Sequence, residues 1–300
     1  MGFFMPVGHP IGLPDLHDNV SMRIVGATAH QVEIMGGGMF LLYLATGAFA
    51  GLLAGLFGVG GGLVIVPVLS FIFAAEGFPE AQILHLALGT SLASILFTGF
   101  ASARAHDRRG AVNWRVLKGI TPGVLIGTFA GSAFAAHLHS RPLAIFFIAF
   151  ELYVATQMLL GFRPRPERQL PGLWGLTLAG LVIGVVSSLV GIGGGTLSVP
   201  FLSWSNVSLP VAIGTSAAIG LPIALAGALG YALNGLGTAG LPSYSIGFVY
   251  LPALLGLVLA SMLTAPLGAR LAHSLPVQHL KRLFALLLYL LAFRMAFALV

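Results

Sequence analysis

Residues 58–70 read Gly58-Val59-Gly60-Gly61-Gly62-Leu63-Val64-Ile65-Val66-Pro67-Val68-Leu69-Ser70. The phrase returns 133 positions later as Gly191-Ile192-Gly193-Gly194-Gly195-Thr196-Leu197-Ser198-Val199-Pro200-Phe201-Leu202-Ser203. Both copies lie inside apolar sequence. A glycine triplet followed five residues later by proline does not suit a continuous helix. In a bilayer, non-helical backbone persists only where protein or a wet cavity surrounds it. A duplicated helix break is therefore the pattern of a transporter with internal repeats and a site between them.

The composition agrees. The 300-residue chain is 57% apolar and 7% charged, where soluble domains carry about 25% charged residues. Mean hydropathy is +0.99. The expectation is an all-α polytopic membrane protein. The net charge of +6 comes with no basic stripe interleaved with aromatics, so it does not point to nucleic acid. With no cysteine there are no disulfides, thiolate metal sites or cysteine nucleophiles. No metal or cofactor is expected.

Apolar segments run over about 40–57, 84–103, 116–136, 174–190, 211–233, 247–269 and 277–293, with Lys118 near the start of the third and Lys281 and Arg282 near the start of the last, and 142–160 crosses with one carboxylate. Each suits a crossing of ~20 residues. The pieces 67–75 and 200–205 are too short to cross alone. Other elements recur: Leu88-Gly89-Thr90-Ser91 as Ile213-Gly214-Thr215-Ser216, and Gly123–Leu138 in outline as Gly256–Leu271. The division that follows is a tail or interfacial segment over 1–38, one membrane repeat over 39–162, a charged cytoplasmic linker over 163–173 and a second repeat over 174–300.

If each glycine segment turns back, each half has an odd number of crossings and the repeats are inverted. Eleven of the 14 basic residues then lie in cytoplasmic loops, leaving Arg23, Arg141 and Arg294 outside. If each crosses once, the count is ten. The positive-inside rule favours inverted repeats with broken, re-entrant helices meeting near the bilayer midplane. Small-residue stripes at Gly47, Gly51 and Gly55, at Gly119, Gly123, Gly127 and Gly131, and at Gly180, Gly184 and Ser188 are expected to be helix-packing faces.

Proline suits the first turn of a helix. Pro67 and Pro200 are therefore expected to start short half-helices, with Leu63–Val66 and Thr196–Val199 extended. The free N–H groups left there favour an anion. The candidate cradle comprises Gly58, Gly60, Gly61, Gly62 and Pro67 with Gly191, Gly193, Gly194, Gly195 and Pro200. Gly89, Thr90, Ser91, Gly214, Thr215 and Ser216 form the second paired element. Their hydroxyls can cap a helix, bond a carbonyl one turn back or donate to an oxyanion, and the duplication favours the last. Glu151 stands mid-span, where a carboxylate must be paired, protonated or facing water. It can carry a coupling proton, or be a neutral acid bonded to a carbonyl.

The paired phrases, the paired Gly-Thr-Ser segments and the charged linker resemble the TauE/SafE sulfite-exporter family over roughly 40–299. The resemblance implies a bacterial inner-membrane permease for sulfite or a small organosulfonate such as sulfoacetate. It implies mostly export, by alternating access, with the motif residues above at the site. An inside-negative potential assists each exported negative charge by ~2.3 kcal/mol per 100 mV, so a simple exporter needs no coupling ion. The alternatives are proton-coupled uptake of another small organic anion, with Glu151 as carrier, and an anion channel. An intramembrane enzyme is disfavoured, since neither paired metal ligands nor a nucleophile elbow is present. Oligomeric state is left open.

Overall fold

The computed structural model describes residues 37–57, 61–161, 168–271 and 277–298. Gly58 and Gly60, most of the expected tail and the start of the linker fall outside them. The elements are α1 (Gly37–Phe57), α2 (Gly62–Ala75), α3 (Glu80–Asp107), α4 (Trp114–His137), α5 (Ser140–Leu160), α6 (Leu173–Val190), α7 (Gly195–Trp204), α8 (Leu209–Asn234), β1 (Ser245–Ile246), β2 (Val249–Tyr250), α9 (Leu251–Leu271) and α10 (Val277–Ala298). Among the described residues, seven helices are long and apolar enough to cross a membrane: α1, α3, α4, α5, α6, α8 and α9. The 22-residue α10 carries Lys281, Arg282 and Arg294 and falls outside that set.

The centre is α3 crossing α8. Both are apolar or small all round, the pattern of a helix enclosed by protein. Leu84–Ile95 and Gly214–Gly220 are buried without interruption. Their register is set by close approaches: Gly89 meets Tyr231, Leu92 meets Gly227, and Gly99 meets Leu221. Numbers rise along one helix as they fall along the other, so these two sequence-related helices run antiparallel.

The small-residue stripes seat the flanking helices. A Cβ at Gly123 or Gly127 would land on a carbonyl of α6, at Thr177 or Leu181. One at Gly180 or Gly184 would land on Ile120 or Val124 of α4. Thus α4 and α6 run parallel in backbone contact. On the other side Gly47 meets Leu257, Gly51 meets Ser261 and Leu52 meets Gly268, so α1 runs parallel to α9. Each half's first helix therefore packs on the other half's fourth. Between α5 and α10, the hydroxyls of Thr156 and Tyr289 lie 2.6 Å apart. These residues are separated by the same 133 positions as the glycine phrases.

Both glycine segments turn back. The Tyr43 hydroxyl, near the start of α1, donates to Glu76 Oε1 at 2.7 Å, just past the end of α2. In the second half the Arg168 N–H, ahead of α6, donates to the Trp204 carbonyl at the end of α7 (3.3 Å), and its guanidinium lies 4.5 Å from the Trp204 ring. These contacts close α1–α2 and α6–α7 into hairpins.

Two expectations need correction. Pro67 and Pro200 do not begin the half-helices, and Leu63–Val66 and Thr196–Val199 are not extended. The helices start at Gly62 and Gly195, and each proline sits inside its helix. The reason is the cap: Gly61 (φ 72°) and Gly194 (φ 76°) adopt the left-handed conformation, which glycine enters without steric cost. That reversal starts the helix five residues earlier than the proline. The span expected from 247 begins instead as a two-residue ladder, Ser245 opposite Tyr250 and Ile246 opposite Val249. The Phe248 N–H bonds the Tyr231 carbonyl at 3.2 Å, and this ties the segment to α8 before α9 begins.

Candidate functional site

The two glycine loops meet. A Cβ at Gly62 would strike the Gly191 carbonyl and approach Ile192. Gly191 in turn lies against Val66 of α2 and Leu88 of α3. Ser91 Oγ, eleven residues beyond the first residue of α3, donates to the Gly191 carbonyl at 2.9 Å. At ~1.5 Å per residue this is deep within that long helix. Gly191–Gly195 are all buried, as are Gly61 and Gly62.

The second loop exposes a row of donors. The N–H groups of Leu197 and Ser198 turn back to the Gly194 carbonyl, at 3.1 and 2.8 Å. The Ile192 N–H bonds the Ser187 carbonyl at 3.1 Å. Among the described residues, the N–H groups of Gly193, Gly194, Gly195 and Thr196 have no acceptor. Such a run, turning from left-handed to helical backbone at a helix N-terminus, is an anion-binding concavity. The first loop has the same cap: the Val64 and Ile65 N–H groups both bond the Gly61 carbonyl at 3.0 Å.

The paired Gly-Thr elements do something the sequence did not disclose. The Tyr250 N–H donates to Thr90 Oγ1 at 3.0 Å, and the Asn113 N–H donates to Thr215 Oγ1 at 2.9 Å. Tyr250 immediately precedes α9, and Asn113 immediately precedes and caps α4, its side chain accepting from the Val116 N–H. One residue earlier in each pair, Gly89 lies on the Phe248 carbonyl and Gly214 on the Ala111 carbonyl. Each Gly-Thr pair thus clasps the segment leading into the fourth helix of the opposite half. The two threonine oxygens serve the main chain, Thr90 accepting a buried N–H and Thr215 a half-buried one.

The serines that follow diverge. Ser91 is satisfied, whereas Ser216 Oγ is buried without a partner. Three further orphaned hydroxyls flank the second loop: Ser187 in the last turn of α6, and Thr196 and Ser198 at the start of α7. A Cβ on Gly194 would lie 3.5 Å from Ser198 Oγ. Thr196 and Ser198 are not among the candidate site residues of the sequence; their signal there is the alignment of the phrases, which sets them opposite Leu63 and Ile65.

Pro67 and Pro200 stand beyond the first turn of their helices and do not reach the loops' donors. Glu151 is fully buried on α5, and neither carboxylate oxygen has a partner. Among the described residues, no hydrogen bond links it to the glycine loops. At the outer end of the first hairpin, Glu76 joins Tyr43, Phe73, Phe78 and Tyr250 in one aromatic cluster. Burial raises the Glu76 carboxyl, against a smaller lowering by the Tyr43 hydrogen bond, and burial with the Glu76 charge lifts the Tyr250 phenol to about 12.

Comparison with known proteins gives the family. Residues 43–295 match the family described as sulfite exporter TauE/SafE. A probable membrane transporter protein of Haemophilus influenzae is 39% identical over 257 residues, covering 85% of this chain and 97% of its own length. One from Methanocaldococcus jannaschii is 29% identical over 248 residues, covering 80% of this chain and 89% of its own. No solved structure matches.

Proposed function

The chain belongs to the sulfite exporter TauE/SafE family and is a multi-pass membrane transporter; on that premise we propose that it exports a small sulfur oxyanion, sulfite or an organosulfonate, across a bacterial inner membrane. The observation that carries this reading is the meeting of two glycine-capped half-helix N-termini, Gly62 against Gly191, inside the protein. Unpaired N–H donors there replace part of an anion's hydration without a mobile counter-charge.

The mechanism we infer is alternating access between two inverted repeats. The antiparallel register of α3 and α8 and the reciprocal pairing of α1 with α9 and α6 with α4 support the inversion. So do the two closed hairpins, and the inverted reading keeps 11 of the 14 basic residues in cytoplasmic loops, as the positive-inside rule asks. The loops are buried here, which fits an occluded state. Export needs no coupling ion, because an inside-negative potential drives an anion outward.

Glu151 favours a second mode. A buried carboxyl with no hydrogen-bond partner is a group through which a proton can be carried, and it would serve if the anion were taken up.

Proteoliposomes loaded with sulfite or methanesulfonate test the reading. Imposing an inside-negative potential is expected to accelerate efflux, and Gly62→Leu to abolish it by separating the loops. Efflux no faster than from protein-free vesicles, for every sulfur anion tried, would remove the proposal. Glu151→Gln is expected to leave potential-driven efflux intact; loss of efflux would favour the proton-coupled mode.

A further inference from the structure

We propose that the anion is held by the second loop, at the N-terminus of α7, and that the species bound is singly charged: a sulfonate or hydrogen sulfite, not a dianion. This rests on the family reading above and narrows it.

The two loops share their backbone but not their side chains. At the first, the residues after the glycine cap are Leu63 and Ile65, fully apolar. At the second they are Thr196 and Ser198, both at least nine-tenths buried and both without a hydrogen-bond partner. Ser187 lies in the last turn of the preceding helix, where the first half has Ala54. Three orphaned hydroxyls thus stand within four residues of one loop, whereas their counterparts in the other half are two aliphatic side chains and an alanine. A buried hydroxyl left unbonded costs stability. Three around one set of unpaired N–H groups are explained by an acceptor that arrives from outside. A three-oxygen head group matches that donor set.

The charge follows from what is missing. Among the described residues, His85 is the one buried basic side chain. Its Nε2 lies 2.9 Å from the Ala135 carbonyl and its ring packs on Phe248, which occupies it away from the second loop. The site therefore offers neutral donors and the partial charge of a helix end, ~0.5 of an elementary charge. Dehydration cost grows with the square of the ligand's charge, so a dianion loses about four times as much as a monoanion. Neutral donors compensate the smaller loss and not the larger.

The test is thermal stabilisation of the purified protein at matched ionic strength. The probes are methanesulfonate, sulfite and sulfate, across the pH range in which hydrogen sulfite loses its proton. Methanesulfonate is expected to raise the unfolding midpoint equally at every pH. The apparent sulfite affinity should fall about tenfold per pH unit above that ionisation. Sulfate should bind at least about tenfold more weakly than methanesulfonate. Thr196→Val with Ser198→Ala should unfold no earlier than the parent without ligand, since orphaned hydroxyls are being removed, yet lose the response to methanesulfonate. Leu63→Val with Ile65→Val should keep it. Sulfate binding as tightly as methanesulfonate, or sulfite binding better at high pH, would overturn the monoanion claim and leave the family reading standing. A retained response in the Thr196/Ser198 variant would move the site off α7. No response of the parent to any of the three would overturn both the inference and the reading beneath it.

Discussion

The two halves build the same clasp and then diverge at the loop it supports. Gly89-Thr90 and Gly214-Thr215 each hold the approach to the other half's fourth helix through one main-chain contact and one hydroxyl. One residue further on, Ser91 is bonded and Ser216 is not. Beyond the glycines, Leu63 and Ile65 face Thr196 and Ser198 as counterparts. Repetition has kept what joins the halves, because each clasp fixes the main-chain segment that leads into a helix of the other half. The side chains after the glycine caps differ between the halves, apolar in one and hydroxylic in the other. On the proposed reading, symmetry marks architecture and its breaking marks the ligand.

The largest expected effect breaks the symmetric part. Gly89→Leu and Gly214→Leu each force a side chain into a carbonyl of the opposite half and should cost about 3 kcal/mol or more. Unfolding in detergent followed by circular dichroism should show two comparable losses; one tolerated variant would mean that only one clasp holds the halves. Thr90→Val and Thr215→Val keep the shape but remove the acceptor of a main-chain N–H, at ~1–3 kcal/mol for the buried Tyr250 donor and less for the half-buried Asn113 donor. The two losses should be nearly additive, being on separate clasps. A loss of anion response without loss of stability would instead return the hydroxyls to the binding site.

The serines sharpen the contrast. Ser91→Ala leaves the Gly191 carbonyl without its donor and should cost ~1–2 kcal/mol. Ser216→Ala removes an orphan and should cost nothing in the absence of ligand. Equal losses would erase the difference between the halves.

The smallest effect concerns the outer end of the first hairpin, which has no acidic counterpart in the second. Burial holds the Glu76 carboxyl above its usual range. A raised carboxyl contributes stability that is full at low pH and is lost as pH rises through its folded-state value. The midpoint should therefore fall slightly, by a few tenths of a kcal/mol for a half-exposed group, as pH climbs from the ordinary glutamate range toward neutrality. In Glu76→Gln that slope should flatten; a slope that is unchanged would place its origin elsewhere.

Much of the fold was legible in the sequence for identifiable reasons. Apolar runs near 20 residues mark the spans, and the spacing of the phrases marks the duplication. The small-residue stripes named the packing faces that α4 and α6 turn to one another. The helix starts are not legible from proline, because the left-handed glycine ahead of it decides the cap. The role of Thr90 and Thr215 was hidden because their partners, Tyr250 and Asn113, lie 160 and 102 residues away, and a main-chain donor leaves no trace in the sequence. Thr196 and Ser198 are departures from an otherwise repeated phrase, but their burial without partners has no trace in the sequence.

The most direct measurement is an anomalous-scattering map of crystals grown with bromomethanesulfonate. The account predicts one bromine peak beside Gly194 and Ser198 at the start of α7, with none at the equivalent position of α2. A peak at the start of α2, or in the open apolar hollow that Leu125, Ile126, Phe129, Leu225 and Leu229 line between α4 and α8, would contradict it.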